Sequence, residues 1–397
     1  MQNNQIRYFE YASVDFLIDK HGTPIFMEVN DNTLAPYYIE IKNKLAQLAI
    51  SKNTDLQNLT EQHKNIFISC FKKYFNNSYS KIINEEIAIL CKRRNHPEEI
   101  EKEIQFLIKI FKEAGFQADM YTPEECTIQD NILYTGNSLN KPAVIYRRNF
   151  QFPPATIKQP VVNDLRVREI AKDKYKTHEC INSLIRKSNL KFRQPESYLV
   201  ADEELLKEKI QGFFDRKLDC IAKPNSSYGG KGFFSFTNAK ALENKYKIIE
   251  ISQAMQKGEQ YLVQERIEPS LFRSADQKEY CFDIRVMVYG GKVAGIEGRR
   301  SYIPYCTNNS NRLFEKSLVT NISSGGVDLV VLCSDNVISM HEARKCLNLD
   351  EISELGFKLD QNFLILSTHL VENLRTISEA IVKSIDERIS TEVGLNE

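Results

Sequence analysis

The sequence runs to 397 residues, with 53 lysines and arginines against 53 aspartates and glutamates. A net charge of zero excludes the strongly basic balance of a dedicated nucleic-acid or anionic-membrane binder, and no stretch stays apolar for the roughly 18 residues a membrane helix needs. Nine cysteines occur singly, without a CxxC pair or a histidine at zinc spacing. They read as reduced thiols in a cytoplasmic protein long enough for two or three packed units.

Residues 5–30 are predicted to form a β-hairpin. The first run, VDFLI, carries Asp15, a turn spans Lys20 to Pro24, and the second run delivers Glu28 and Asn30 at its far end. Side chains two apart share a strand face, so Glu28 and Asn30 point the same way and the turn can return Asp15 beside them. Two carboxylates and an amide oxygen are hard ligands, suited to Mg2+ that also touches substrate phosphates. The stretch 37–50 reads as a helix, and 51–80 as a polar connector, helical in its second half. EIAIL (86–90) has the pattern of a buried strand. Residues 96–116 form an amphipathic helix with Ile104, Leu107, Ile108 and Phe111 at helical spacing and Gly115 at its stop. Two further strands, from 117 and over 142–149, complete a small α/β domain with parallel pairing. Arg147 and Arg148 follow its last strand, where open α/β sheets meet ligands, and are candidates for holding a substrate carboxylate. A solvated basic strand end is the alternative.

From Asn163 a larger mixed unit begins. A helix is predicted over 163–184, strands over LDCIAKP, KGFFSF and QYLVQERI (260–267), and a hairpin turned by Gly290 and Gly291. A long amphipathic helix is expected from FLIL to the end. In IAKPNSSYGGKGFF (221–234) a lysine ends a strand, a small polar loop follows, and a second strand begins. Backbone N–H groups of Ser226, Ser227, Gly229 and Gly230 can lie over phosphate oxygens, with Lys223 reaching inward as a point charge and Lys231 in the loop. The GxxxxGK[ST] order of a P-loop is missing, and an ordinary glycine-rich turn is the bland alternative. Gln264 and Glu265 end a strand where a ligand hinge commonly passes, though exposed acidic strand ends are equally common. Arg285 alternates with Val and Ile and so faces away from that apolar layer; there it suits a bidentate grip on phosphate or carboxylate, or else pairs with Asp283. Asn321 opens NISSGG (321–326), a turn where another anion can sit.

Taken in order, the segments from 86 to 326 resemble the ATP-grasp superfamily. DKYKTHECI resembles its nucleotide-side lysine helix, with Lys174, and KPNSSYGGKGFF its lysine and flexible phosphate loop. YLVQERI resembles its adenine hinge, with Gln264, Glu265 and Ile267. FDIRVMVYGGKVAGIEGRRS followed by NISSGG resembles the arginine hairpin and Asn/Gly turn of the ribosomal-protein glutamate ligase branch. The family's next element, a strand with Asp, a turn, and a strand ending in Glu-x-Asn, stands here at the front, in residues 14–30. Glu28 lies 13 positions after Asp15 (28 − 15), a spacing that D-alanine–D-alanine ligases also use. The order resembles a circular permutation, and eukaryotic-type glutathione synthases are similar in carrying Glu-x-Asn early and the lysine loop late. Those synthases place a glutamate metal ligand inside the loop, where this chain has Ser226, Ser227 and Tyr228, with Asp15 as the substitute. Their Ala/Gly-rich lid corresponds to SSGGVDLVVL.

The resemblance implies an α/β (α+β) ATP-grasp fold. Its expected segments are a metal hairpin and helix (1–45), a helical connector (46–85), a small α/β domain (86–160), a nucleotide-side subdomain (161–260) and a C-terminal subdomain (261–397). It implies a ligase that joins a carboxylate to an amine through an acyl phosphate, releasing ADP and phosphate. ATP and Mg2+ are the expected cofactors, with Mn2+ as an alternative metal. The expected partners are a small-molecule or peptide carboxylate and an amine acceptor, with no nucleic acid or membrane; a homodimer is compatible. Asp15, Glu28 and Asn30 would hold the metal, and Lys174 and Lys223 the nucleotide phosphates. Arg285, Arg300 and Asn321 would hold the γ-phosphate and the acyl phosphate. Three alternatives stay open: a kinase on the same fold, a catalytically inactive ATP-binding module, or remnants of two tandem copies (1–45 and 86–397).

Overall fold

In chain order, the computed structural model opens with strands β1 (Tyr11–Ile18) and β2 (Pro24–Asn30), helix α1 (Pro36–Ile50), the short β3 (Gln57–Asn58) and helix α2 (His63–Ser78). It describes residues 8–31, 36–50, 56–78, 86–92, 98–136, 139–148, 152–154, 156–226, 232–274, 277–306, 311–335 and 359–394. β4 (Glu86–Leu90), α3 (Glu98–Glu113), β5 (Gln117–Tyr121), β6 (Cys126–Gln129), β7 (Ile132–Thr135), β8 (Val144–Arg147) and β9 (Val161–Val162) come next. After α4 (Leu165–Lys172) and α5 (Lys174–Lys187) follow β10 (Ser197–Val200), α6 (Glu203–Asp215), β11 (Cys220–Pro224), β12 (Phe234–Phe236), α7 (Ala241–Met255) and β13 (Tyr261–Glu265). The chain then runs through β14 (Leu271–Arg273), β15 (Glu279–Tyr289), β16 (Lys292–Arg300), α8 (Asn311–Ser317), β17 (Val327–Cys333), β18 (Leu359–Leu366) and the long α9 (Thr368–Gly394).

The hairpin β1–β2 does not stand apart. β1 runs antiparallel between β2 and β15, and the central sheet has the order β18-β17-β16-β15-β1-β2. Alternation gives this sheet two unlike faces. Val14, Phe16, Ile284, Val286, Ile296 and Leu329 point to one side and meet Leu374, Ile377, Ile381 and Ile385 of α9. On the other side Tyr11, Met287 and Tyr289 pack on Phe67 and Phe71 of α2 and on the small domain, and the rest of that face is charged. The small domain is a parallel sheet in the order β5-β4-β8-β9, as its strand and helix pattern predicts. A third sheet, β10-β13-β11-β12, packs its outer face on α6 and α7.

Three local expectations differ from the structure. FLIL belongs to β18, which lies parallel to β17 with Phe363 buried, so the final helix starts only at Thr368. The helix expected over 163–184 is two helices, because Asp173 leaves helical geometry and caps α5 by accepting from the Lys176 N–H. A hairpin, β6–β7, fills the stretch between β5 and β8; Asp130 and Asn131, with φ of 52° and 60°, supply the left-handed turn it needs.

Polar clamps lock the front hairpin in place. Asn163, itself at φ 49°, accepts from the N–H groups of Glu10 and Tyr11 and donates to the carbonyls of Tyr11 and Asp31. At the other end, the Phe26 N–H donates to Arg193 O at 2.9 Å and the Ser270 N–H to Ile18 O at 2.8 Å. Among the described residues, no helix is long and apolar enough to cross a membrane.

Candidate active site

The charged face of the central sheet carries a row set by register. Glu28 lies opposite Asp15, Asp15 opposite Arg285, and Arg285 opposite Glu297. Arg285 donates through Nε and Nη2 to the two carboxylate oxygens of Asp15, at 2.7 Å each, and Arg299 Nη2 adds a bond at 3.0 Å. Burial alone would raise the Asp15 carboxyl, but the two guanidinium groups outweigh it and hold it well below the usual carboxylate range. Arg299 also holds Asp283 through two bonds, and the Thr320 hydroxyl donates to the same carboxylate at 2.6 Å. Behind this row, Lys42 of α1 donates to Glu297 at 2.7 Å and to Asp328 at 2.5 Å, so the helix after the hairpin is tied to the sheet by a buried cation.

Asn30 donates its side-chain N–H to Asp15 Oδ2 at 3.3 Å, an orientation that turns its amide oxygen away from Asp15. Glu28 and Asn30 are both half-buried at the end of β2. Opposite them stand Lys174 and Lys223. Burial pushes Lys223 down to about 8, repulsion from Lys174 adds to this, and attraction from Glu28 opposes it. Burial lowers Lys174 as well, again against the pull of Glu28 and of Asp173. Side chains from β2, α5 and β11 therefore feel one another's charge across a single cleft.

Asn225 fastens the end of β11 to α5. Its Nδ2 donates to Asp173 at 3.0 Å, its Oδ1 accepts from the Tyr175 N–H at 3.0 Å, and its carbonyl accepts from the Lys174 N–H at 3.3 Å. Gly232 closes the loop at φ +70°, where a Cβ would lie 2.8 Å from the Pro224 ring. Ser226 is exposed at the loop's start, while Ser227, Gly229 and Gly230 lie outside the described residues. On the face of this third sheet away from α6 and α7, Ile221, Leu262 and Gln264 follow one another by register and alternation. Gln264 donates to Ser197 Oγ at 2.6 Å and lies 3.1 Å from His178 Nε2, while its own carbonyl oxygen is buried without a hydrogen-bond partner. Burial, reinforced by Lys223, pushes His178 down to about 3, so this ring is neutral at neutral pH. Glu265 accepts from the Arg193 guanidinium, and Ile267 is buried just beyond.

Not every candidate reaches this cleft. Arg300 projects from the opposite sheet face, its guanidinium 4.1 Å from the Tyr280 ring centroid. The reason is a bulge. Tyr289 pairs with Lys292 and Val288 with Val293, but Met287 pairs with Gly295, so Ala294 is an extra residue. An unbulged two-residue hairpin would put Arg300 on the sheet face of Arg285; the bulge reverses parity and puts Arg299 on that face instead. Arg147 is also committed elsewhere, with its guanidinium fully enclosed and donating to Asp31 at 2.5 Å and to the Asn163 carbonyl at 2.6 Å. Arg148 is half-buried at the mouth of the small domain. The Asn321 carbonyl accepts from the Ser324 and Gly326 N–H groups, which closes the turn that brings Thr320 to Asp283. Sequence reasoning missed Asn225, His178 and Lys42. Asn225, directly after KP at the loop root, offered the clearest signal.

No protein-family model matches the chain, and no curated protein sequence does. Solved structures do. A putative gamma-glutamylcysteine synthetase from Methylobacillus flagellatus KT superposes with a TM-score of 0.58 at 11% identity, over 97% of this chain and 90% of that one. A glutathione synthetase-like effector from Globodera pallida gives 0.47 at 11% identity over 73% of each chain. A RimK domain protein ATP-grasp from Sphaerobacter thermophilus gives 0.37 at 16%, over 69% of this chain and 96% of that one. The Methylobacillus protein superposes over nearly the whole of this chain, so the two share a fold.

Proposed function

We propose that the chain is an ATP-dependent ligase that joins a carboxylate to an amine through an acyl phosphate, and that it is a circularly permuted ATP-grasp protein whose front hairpin supplies the metal-binding end of the site. The observation that carries this reading is the convergence of Glu28 on Lys174 and Lys223. A carboxylate that would attract a cation faces two lysines that would attract phosphates, and the carriers come from distant parts of the chain.

The donor set fits Mg2+ in the way nucleotide sites use it, with one carboxylate and one amide oxygen, Glu28 and Asn30, and phosphate oxygens completing the shell. Among the described residues no cluster of three His, Cys, Asp or Glu could hold a metal without a substrate. Asp15 is not retained as a ligand in this reading, because both its oxygens bind arginine and its negative charge holds Arg285 and Arg299 on the sheet face. When bound, Mg2+ supplies charge neutralisation at the transferring phosphoryl group.

The protein's own residues do the rest. Lys174 and Lys223 hold the nucleotide phosphates, and Asn225 fixes the strand end from which Lys223 reaches them. The unpartnered carbonyl oxygen of Gln264 accepts from an exocyclic amino group such as that of adenine. Arg285 and Arg299, fixed in advance by Asp15 and Asp283, stabilise charge on the acyl phosphate while the amine attacks its carbonyl carbon and phosphate leaves. Replacing Glu28 by Gln tests the reading: phosphate release with carboxylate and amine substrates should be lost while a nucleotide analogue still binds weakly. Unchanged turnover would show that the front hairpin belongs to some other activity.

A further inference from the structure

Helix α8 lies in the chain between two strands of the central sheet, yet it is fastened to the third sheet. β12 is the edge strand of that sheet and pairs with β11, the strand that carries Lys223. The backbone N–H of Ser235, in the middle of β12, donates to Glu315 Oε1 of α8 at 2.9 Å, and the Ser235 carbonyl accepts from Lys247 Nζ of α7. Lys247 and Glu315 pair with each other at 2.7 Å, their side chains 12% and 13% exposed, so the pair is largely out of water. One residue before Glu315, the buried Phe314 ring has the Arg266 guanidinium, just past β13, at 5.2 Å from its centroid.

A few residues later the same stretch grips the central sheet. Ser317, fully buried, donates its hydroxyl to the Phe314 carbonyl at 2.6 Å and ties down the end of α8. The Thr320 hydroxyl then donates to Asp283 at 2.6 Å, and Asp283 accepts from Arg299 Nε at 2.9 Å. The link from Glu315 to Thr320 is short, and its first part is helical at about 1.5 Å per residue, so it has little slack. An unbroken series of bonds thus runs from the Lys223 strand through Ser235, Glu315, Thr320 and Asp283 to Arg299. A cap that served only to protect the β12 edge would not need its far end on the carboxylate that holds Arg299.

We propose that Glu315 is a positioning residue: by fastening α8 to Ser235 and Lys247 it sets Arg299, through Thr320 and Asp283, at a fixed reach from the strand of Lys223, so that a phosphoryl group leaving the nucleotide arrives within the grip of the arginine. This rests on the ligase reading above, which uses Lys223 and Arg299 on opposite sheets, and adds what holds the two sheets in step. Glu315 touches neither nucleotide nor phosphoryl group, so its loss should spare ground-state nucleotide binding and weaken only the grip on the group in transfer.

Isothermal titration of the full chain tests it, with Mg2+ and ADP alone and with aluminium fluoride, a mimic of the phosphoryl group in transfer. In wild type the fluoride complex should tighten ADP binding by about tenfold or more, as a charge-assisted grip does. Glu315→Ala should bind ADP alone within about twofold of wild type and lose most of the tightening. Glu315→Gln, which keeps an acceptor for the Ser235 N–H and so holds the fold should the alanine variant melt, should lose part of it. Thr320→Val should lose it as well, while Thr320→Ser, which keeps the hydroxyl, should retain it. Combining Glu315→Ala with Thr320→Val should cost no more than the worse of the two, because both cut one series of bonds. The proposal is overturned if either Glu315 variant keeps the full tightening, if Glu315→Ala weakens ADP alone as much, if the serine variant fails like valine, or if the two losses add in full. It is overturned too if ADP binds wild type and the fluoride complex tightens nothing. Failure of ADP to bind wild type would overturn the ligase reading instead.

Discussion

Asp15→Asn separates two roles that a front-hairpin aspartate can play. Asp15 is 2% exposed and accepts three hydrogen bonds from two guanidinium groups that are themselves nearly enclosed. Removing its charge leaves Arg285 without its carboxylate and Arg299 with Asp283 alone. Breaking a buried pair from one side costs about 3–5 kcal/mol, and asparagine, which keeps the volume and one acceptor, should fall near the lower figure. Domains hold about 5–15 kcal/mol in all, so the variant should fold at 25 °C with a clearly lower urea midpoint. The pH dependence has a definite sign. A carboxyl held below its unfolded value stabilises the fold above about pH 4 and loses that contribution as pH falls. The gap between wild type and variant should therefore be full at pH 7 and shrink in acid. A variant as stable as wild type that has lost Mg2+-dependent nucleotide binding would refute this, and would make Asp15 a metal ligand after all.

Four further outcomes follow from the same geometry. Nucleotide-analogue affinity should fall as pH rises above 8, where free Lys223 loses its charge, and Glu28→Gln should move that limb to lower pH by removing the attraction that props the lysine up. The same depressed lysine makes the native state bind fewer protons than the unfolded chain between 8 and about 10.4, so its contribution to stability rises with pH across that window; a Lys223→Met variant should lack this rise in denaturant titrations. Gly326→Ala places a Cβ 2.0 Å from the Thr320 carbonyl oxygen, so the backbone must move, and a loss of at least about 3 kcal/mol is expected by thermal melting. Arg299→Ala should abolish substrate-dependent phosphate release, while Arg300→Ala should leave it nearly intact, at a cost in stability from its stack on Tyr280 and its bond to the Ser301 carbonyl of about 1–2 kcal/mol; the reverse ranking would place the phosphate on the other sheet face.

Strand and helix periodicity carried most of the architecture. The alternation in VDFLI and PIFMEV, the paired glycines at 290 and 291 and the parallel pattern of the small domain each reappear as β1–β2, β15–β16 and β4–β5–β8. What periodicity could not supply was parity across an irregular ladder. One extra residue, Ala294, has no sequence signal of its own among VAGIEG, yet it decides which of two adjacent arginines joins Arg285. Charge partners were illegible for a related reason. Arg147 and Arg148 are neighbours with the same chemistry, and only the docking of Asp31 shows that the first holds the hairpin. FLIL was ambiguous because a short apolar run suits a buried strand or a helix equally, and the neighbouring β17 settles it.

The placement of β1 bears on why the site is built from both ends of the chain. Seven residue pairs join β1 to β15, from Tyr11↔Tyr289 to Leu17↔Asp283. Without the hairpin, β15 would present a long open edge beside the apolar side chains of Ile284 and Val286, an arrangement that soluble sheets avoid. Arg285 and Arg299 would also lose Asp15, and two guanidinium groups enclosed beside the small domain would share Asp283 and Glu297, the latter already bound to Lys42. Lys42 itself belongs to the helix that follows the hairpin. The residues that order Arg285 and Arg299 and the residues proposed to meet the metal are thus carried on one continuous segment, 11–50, so loosening it should impair the proposed phosphate grip and metal binding together. That coupling distinguishes this arrangement from one with two independently folding fragments, in which a cut in the connector between α1 and β3 would release the hairpin and leave the remaining sheet folded.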